Sequence, residues 1–186
     1  MDQLIEQISL LSTISDELAL TIRETFSTEQ HKKGSLLLEQ GHYCRKLYFL
    51  NKGIVRSFHY DKGKDISSWF YKENDFVTSW HSIINHQPSF DNLEVLQDCT
   101  TLHSISIERY NDLMDQFPAF QKFGRKLAEI QLAFLDYYSR GYGFLSAKER
   151  YDLLINHFPD IELYVKLGHI ASYLGISQET LSRIRS

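Results

Sequence analysis

The chain has 186 residues, 42% apolar and 24% charged, with a net charge of −4. That is long enough for a real core, and without a surplus of Lys and Arg it disfavours indiscriminate nucleic-acid binding. Its two cysteines, Cys44 and Cys99, form no C-x-x-C and exclude a four-cysteine zinc or iron–sulfur site built by the chain alone.

Residues 1–26 read as helical, with Leu4, Ile5, Ile8, Leu11, Ile14, Leu18 and Ile22 at three- and four-residue steps. Acids stand where a secretory signal would be basic, and no apolar run approaches the roughly 18 residues of a membrane span. A cytoplasmic protein with no membrane partner is expected. Ser15 or Thr13 suits the N-cap of a second short helix. From 28 to 106 the pattern changes to short β-like runs between turn signals, which argues for a sandwich or β-roll. Asn51-Lys52-Gly53 between two such runs predicts a hairpin, and Asp61-Lys62-Gly63 the next turn. Residues 74–92 are irregular, and "LEVLQDCTTLHSIS" supplies two more strands.

From Ile107 the chain turns helical again, and Pro118 suits the first turn of a long helix. There Phe120, Phe123, Leu127, Ile130, Phe134 and Tyr137 form a seam with a mean period of 3.5, beside a second stripe of Ala128, Leu132, Leu135 and Tyr138. One stripe is expected to cover the β body and the other a second copy of the helix, the alternative being one wide core stripe of a monomer. The dimer interface is assigned to Phe123, Leu127, Ile130, Phe134 and Tyr137. Gly141 and Gly143 mark a hinge, and Ser146 can cap the helix that follows.

The closing stretch, "HIASYLGISQETLSRIRS", reads as two helices joined by a tight turn. Ala171 is small where the helices meet, and Gly175 can take the left-handed conformation of the turn. Ile170, Leu174, Ile176, Leu181 and Ile184 make an inward face, and Ser177 caps the second helix. Gln178, Glu179, Ser182, Arg183 and Ser186 are left facing outward, with chemistries suited to base edges. Thr180 and Arg185 sit toward the sides, where phosphates would be met. From Leu145 onward five Lys and Arg balance five Asp and Glu. Such a module binds weakly alone and needs a dimer reading two half-sites.

A β-roll, a long helix and a terminal "IASYLGISQETLSRIR" together resemble the Crp–Fnr superfamily of transcription regulators. "GSLLLEQGHYCRKLYFLNKGIVRSFHYDKGK" matches the family's glycine-punctuated early strands. Gln178-Glu179-Thr180-Leu181-Ser182-Arg183 stands where the family has Arg-Glu-Thr-(Val/Leu)-x-Arg. The resemblance implies an α+β chain in three parts. These are a jelly-roll, cyclic-nucleotide-binding-like domain with N-terminal helices over 1–116, a dimerisation helix and hinge over 117–144, and a helix-turn-helix over 145–186. It gives Glu179 and Arg183 base-contact roles, with Gln178 altering the target sequence. Many members carry a β-wing after the recognition helix. With Ser186 as the last residue, the expectation is a wingless helix pair, from a wingless subgroup or a chain cut short.

The family's nucleotide chemistry does not carry over. Cyclic-nucleotide binders hold the ribose with Gly-Glu and the phosphate with Arg-Ser or Arg-Thr. Here Thr78-Ser79 and Ser89-Phe90 occupy those places, and no arginine lies between Arg56 and Arg109. The expected pocket is therefore degenerate, lined by Trp69, Thr78, Ser79, Ser89 and Phe90. Cyclic AMP is not expected to bind, and any effector is a small molecule of another chemistry. The aromatics Trp69, Phe70, Tyr71, Phe76, Trp80 and Phe90 either fill the β-roll core or line an apolar pocket. His81, His86 and His103 lack the H-x-H spacing of a cupin-type site, so no metal and no cofactor are expected.

No catalytic motif stands out, and no enzyme is expected. The function expected is that of a homodimeric regulator binding double-stranded DNA at an inverted repeat. RNA polymerase would be a further partner of an activator, although no residue pattern marks its surface. The alternative is a small-molecule-binding or protein-docking β-roll with merely structural terminal helices.

Overall fold

The computed structural model describes residues 1–185, without the side chains of 138–141. Tyr138 of the second stripe and Ser186 of the outward face thus lie outside the described side chains. Two short helices open the chain, α1 (Asp2–Leu11) and α2 (Asp16–Thr25). Ser15 caps α2 by accepting from the Leu18 amide at 3.2 Å.

Eight strands then build two four-stranded antiparallel sheets. One holds β1 (Ser27–His31), β8 (Thr100–Ser106), β3 (Lys46–Lys52) and β6 (Phe76–Val77), in that order. The other runs β2 (Leu36–Leu38), β7 (Asn92–Val95), β4 (Val55–Asp61) and β5 (Lys64–Tyr71). The space between the sheets is filled by Leu38, Tyr48, Leu50, Val55, Leu93 and Leu102. Leu47, Phe49 and Ile105 of the first sheet point outward instead, as the period of two requires.

The segment Asn51-Lys52-Gly53 is not a hairpin, because β3 and β4 belong to different sheets. It is the corner at which the chain crosses from one sheet to the other. Gly53 has φ 115°, and a Cβ there would stand 2.2 Å from Thr100 Oγ1, so the corner demands glycine for space as well as for backbone conformation. The next turn is a true hairpin. Asp61 pairs with Lys64, and Lys62 and Gly63 both take positive φ.

Between β6 and β7 lies a short helix, α3 (Trp80–Asn85). After β8 come α4 (Ile107–Gln116) and the 24-residue α5 (Pro118–Gly141). They approach closely because position 124 is glycine: a Cβ there would meet Tyr110 Oη at 2.6 Å and Met114 Sδ at 2.7 Å. A single 3-10 turn (Tyr142–Phe144) leads into α6 (Ala147–His157), opened by a capping box of Ser146 and Glu149. Then follow α7 (Ile161–Tyr164), α8 (Leu167–Leu174) and α9 (Gln178–Ile184).

The assignment of the α5 seam to a partner needs correction. Phe123 is fully buried and Leu127 nearly so, and both join Phe120, Leu4, Ile8 and Phe49 in this chain's own core. The N-terminal helices cover that stripe. Ile130, Leu132, Leu135 and Tyr137 are exposed, at 49%, 68%, 60% and 66%. Phe134 is half-buried, with its ring 4.9 Å from Trp69. The uncovered apolar face therefore belongs to the second half of the helix, and it mixes the two stripes.

Candidate nucleic-acid interface and candidate β-roll pocket

The terminal helix pair is built as its sequence requires. Gly175 takes φ 68° and ψ 33°, the Ile176 amide donates to Ala171 O at 3.0 Å, and the Gly175 amide to Ser172 O at 3.1 Å. This is a Schellman ending, which stops α8 sharply and sends the chain into α9. Ser177 opens α9 by accepting from the Thr180 amide at 3.2 Å. Ile170, Ala171, Leu174 and Leu181 are buried against Leu154, Phe158, Ile161 and Val165, with Ile176 and Ile184 half-buried at the edge.

The opposite face is open. Ser177, Gln178, Glu179, Ser182 and Arg183 are exposed, and Thr180 is half-buried among them. The Ser177 hydroxyl, the Glu179 amide and the nearby Arg183 charge hold the Glu179 carboxyl below its ordinary range, so it is ionised at neutral pH. Arg183 donates to Thr180 Oγ1 at 3.3 Å. Gln178 leans back over α8, where a Cβ at Gly168 would lie 2.9 Å from its Nε2. Arg185 does not join this face as a free cation. Its guanidinium pairs with Glu162 at 2.7 and 2.8 Å, and the Tyr151 hydroxyl donates to the same carboxylate at 2.9 Å. Arg185 therefore braces α9 against α6 and α7.

The helix pair is docked on the outer face of the second sheet. At the centre is Arg56 on β4, only 2% exposed. Two of its nitrogens donate to Asp65 at 2.7 and 3.0 Å, it donates to Glu94 at 2.6 and 3.1 Å, and its plane lies 4.0 Å from the Phe58 ring. It also donates to Nδ1 of His169 on α8. Burial, and then the Arg56 charge, hold His169 below the usual histidine range and keep it neutral. Beside it the Ser67 amide on edge strand β5 donates to Ser172 Oγ at 3.1 Å, so α8 covers the edge. Sequence reasoning missed this network. The signal was an arginine between Val55 and Phe58 in the strand-like run of β4.

Of the expected pocket residues, Thr78, Ser79 and Ser89 come together at the mouth of the β-roll. Ser89 Oγ lies 3.1 Å from Ser79 Oγ and donates to Asp91 O at 2.8 Å. The Thr78 hydroxyl donates to Lys46 O at 2.9 Å. Nearby, the Asp91 carboxylate accepts from Ser57 at 2.9 Å and Ser68 at 3.0 Å, with His59 Nδ1 at 3.1 Å. Arg56 points to the other face of the sheet. A phosphate at this mouth would meet the Asp91 carboxylate, with Arg56 committed to the opposite face.

Phe90 is exposed and stacks on His81 at 4.1 Å. Trp69 is misassigned. Its ring lies 5.8 Å from Tyr173 as well as beside Phe134, in a cavity between β5 and the helices. Phe70 and Phe76 are core residues, of the helix-pair contact and of the N-terminal cluster respectively. Tyr71 and Trp80 are partly buried against the roll interior and the N-terminal cluster. Among the described residues no group of His, Cys, Asp and Glu is placed to hold a metal ion, and no helix is long and apolar enough to cross a membrane.

Residues 28–117 match the cyclic nucleotide-binding domain family. No curated protein matches the chain. Among solved structures, a putative transcriptional regulator of the Crp/Fnr family from Eubacterium rectale superposes with a TM-score of 0.70 at 20% identity, over 92% of this chain and 82% of that one. A CooA mutant from Carboxydothermus hydrogenoformans gives 0.69 at 20% identity, over 92% and 79%. The catabolite activator protein of Thermus thermophilus gives 0.61 at 18% identity, over 96% and 84%.

Proposed function

We propose that this chain, with a cyclic nucleotide-binding domain at 28–117 and the fold of the Crp–Fnr regulators, is a dimeric, sequence-specific DNA-binding transcription regulator that does not use cyclic AMP. The observation that carries the reading is the α9 face. A capped helix follows a tight left-handed turn and presents Gln178, Glu179, Ser182 and Arg183 to solvent. Arg183 would fork onto guanine, Glu179 would accept from cytosine, and Gln178 would pair with adenine after swinging off Gly168. Ser177 and Thr180 would meet the backbone, with Arg185 setting the angle of the helix.

Dimerisation is supported by the uncovered apolar face of α5 at Ile130, Leu132, Leu135 and Tyr137. Two copies would supply the paired half-sites that a charge-neutral module needs. The three parts, 1–116, 117–144 and 145–186, would serve as sensor-like roll, dimer helix with hinge, and reader. Against cyclic AMP stand the Asp91 carboxylate at the roll mouth and the orientation of Arg56.

The test is to incubate the protein with sheared genomic DNA at low and near-physiological salt and to sequence what it retains. A common inverted repeat supports the reading. Retention without a common sequence sinks it. A second reading, a ligand-binding or docking module with structural terminal helices, is favoured by the pairing of Arg185 with Glu162. It would leave α9 substitutions without effect on DNA retention.

A further inference from the structure

A cavity of about 230 Å³ lies where edge strand β5, helix α5, the 3-10 turn and helices α6 and α8 meet. It is separate from the mouth of the β-roll. Its walls are aromatic, with Trp69 from β5, Phe134 and Tyr137 from α5, Tyr142 from the turn, Phe158 after α6 and Tyr173 from α8. Leu145, Leu153 and Leu154 complete the apolar lining. The volume falls just below the roughly 300–1,000 Å³ of drug-sized sites, so it suits a one- or two-ring molecule.

One cation enters this apolar surround. Arg150 of α6 lines the cavity, and its Nε is buried with no hydrogen-bond partner among the described residues. Its guanidinium sits 5.6 Å from the centre of the Tyr142 ring. A buried guanidinium N–H without an acceptor is costly, and a carboxylate would satisfy it with a charge-assisted bond. His157 also borders the space. Burial, and then Lys72, hold it below the usual histidine range, so it is neutral and offers a polar edge without a second positive charge.

We infer that this cavity is a binding site for a small planar aromatic carboxylate, with the ring stacked among Trp69, Phe134 and Tyr173 and the carboxylate on Arg150. The site joins the β-roll, the long helix and the terminal helix pair. A ligand seated there stabilises the arrangement in which the helix pair is docked on the second sheet. The inference does not depend on DNA binding, and its test involves no DNA.

The experiment is isothermal titration of the full chain with 1-naphthoate and with its uncharged counterpart 1-naphthalenemethanol. It is repeated on Arg150→Gln and on Leu153→Trp, which fills the cavity from its partly exposed rim. Sedimentation is run in parallel to fix the oligomeric state. Naphthoate should bind saturably, one molecule per chain. Arg150→Gln should weaken it about tenfold or more while changing the alcohol little, and Leu153→Trp should abolish both. If Arg150→Gln does not fold, the Leu153→Trp result decides alone. Absence of saturable binding to the folded wild-type chain overturns the inference. So does naphthoate affinity unchanged in the variants, which would place the probe on the exposed face of α5.

Discussion

Replacing Arg56 by Met is the most informative change to the docking of the helix pair. The guanidinium is 2% exposed and holds two carboxylates, Asp65 and Glu94, while donating to His169 across the contact. Methionine fills much of the volume and stays over the Phe58 ring, so packing loss is small. The cost is electrostatic, because two carboxylates are left facing each other without a cation. Removing one partner of a buried pair costs about 3–5 kcal/mol. Asp65 and Glu94 keep 32% and 23% exposure, so water recovers part of that and the lower end, about 3 kcal/mol, is expected. This is a large share of a total stability of about 5–15 kcal/mol. Urea denaturation followed by tryptophan fluorescence measures it, since Trp69 sits at the contact. Neutralising the carboxylates in an Arg56→Met/Asp65→Asn/Glu94→Gln triple variant should restore most of the loss. A single-variant loss below about 1 kcal/mol, the value of a surface pair, would refute the reasoning. So would a triple variant no better than the single one.

Gly53→Ala should cost about 2–4 kcal/mol, read by thermal denaturation, because the new Cβ meets Thr100 and the backbone sits at φ 115°. Leu135→Glu should leave the fold intact and shift sedimentation toward monomer, since the side chain is exposed within one chain. Acidification should loosen the protein. His169 and His157 are held below the ordinary value of 6.5 by burial, the first then by Arg56 and the second by Lys72. Folded values below the unfolded ones mean that the stabilisation is complete above about pH 6.5 and is lost as pH falls through the folded values. His103, lowered by burial and then by the N-terminal ammonium, acts in the same direction. Urea midpoints taken on either side of that range check this, and His169→Gln should flatten part of the slope.

The parts of this molecule that were legible in the sequence are those governed by local chemistry. Ser15, Ser146 and Ser177 cap the helices they precede, and Gly175 makes its turn, because a cap or a left-handed turn depends on a few adjacent residues. Local signals did not say which strands pair. Asn51-Lys52-Gly53 has hairpin chemistry, yet Thr100 from a strand far along the chain fixes it as a corner between sheets. Periodicity likewise found the stripe of α5 without saying what covers it. The covering comes from Leu4 and Ile8, more than 100 residues earlier. The α9 face was readable as an outward face, but the capture of Arg185 by Glu162 depends on how α7 lies beside it. Trp69 belongs with Thr78 and Ser79 only in the pocket that the family resemblance implies. Its place at the edge strand, under α5 and α8, is a tertiary fact.

The measurement that tests the account most directly is footprinting on the DNA that the protein retains, with wild type and Arg183→Ala compared at near-physiological salt. The account predicts two protected segments about one helical turn apart for the wild type. Arg183→Ala should lose discrimination at one position in each half-site, by about 1–3 kcal/mol. Equal binding of retained and shuffled sequences by both proteins would contradict it.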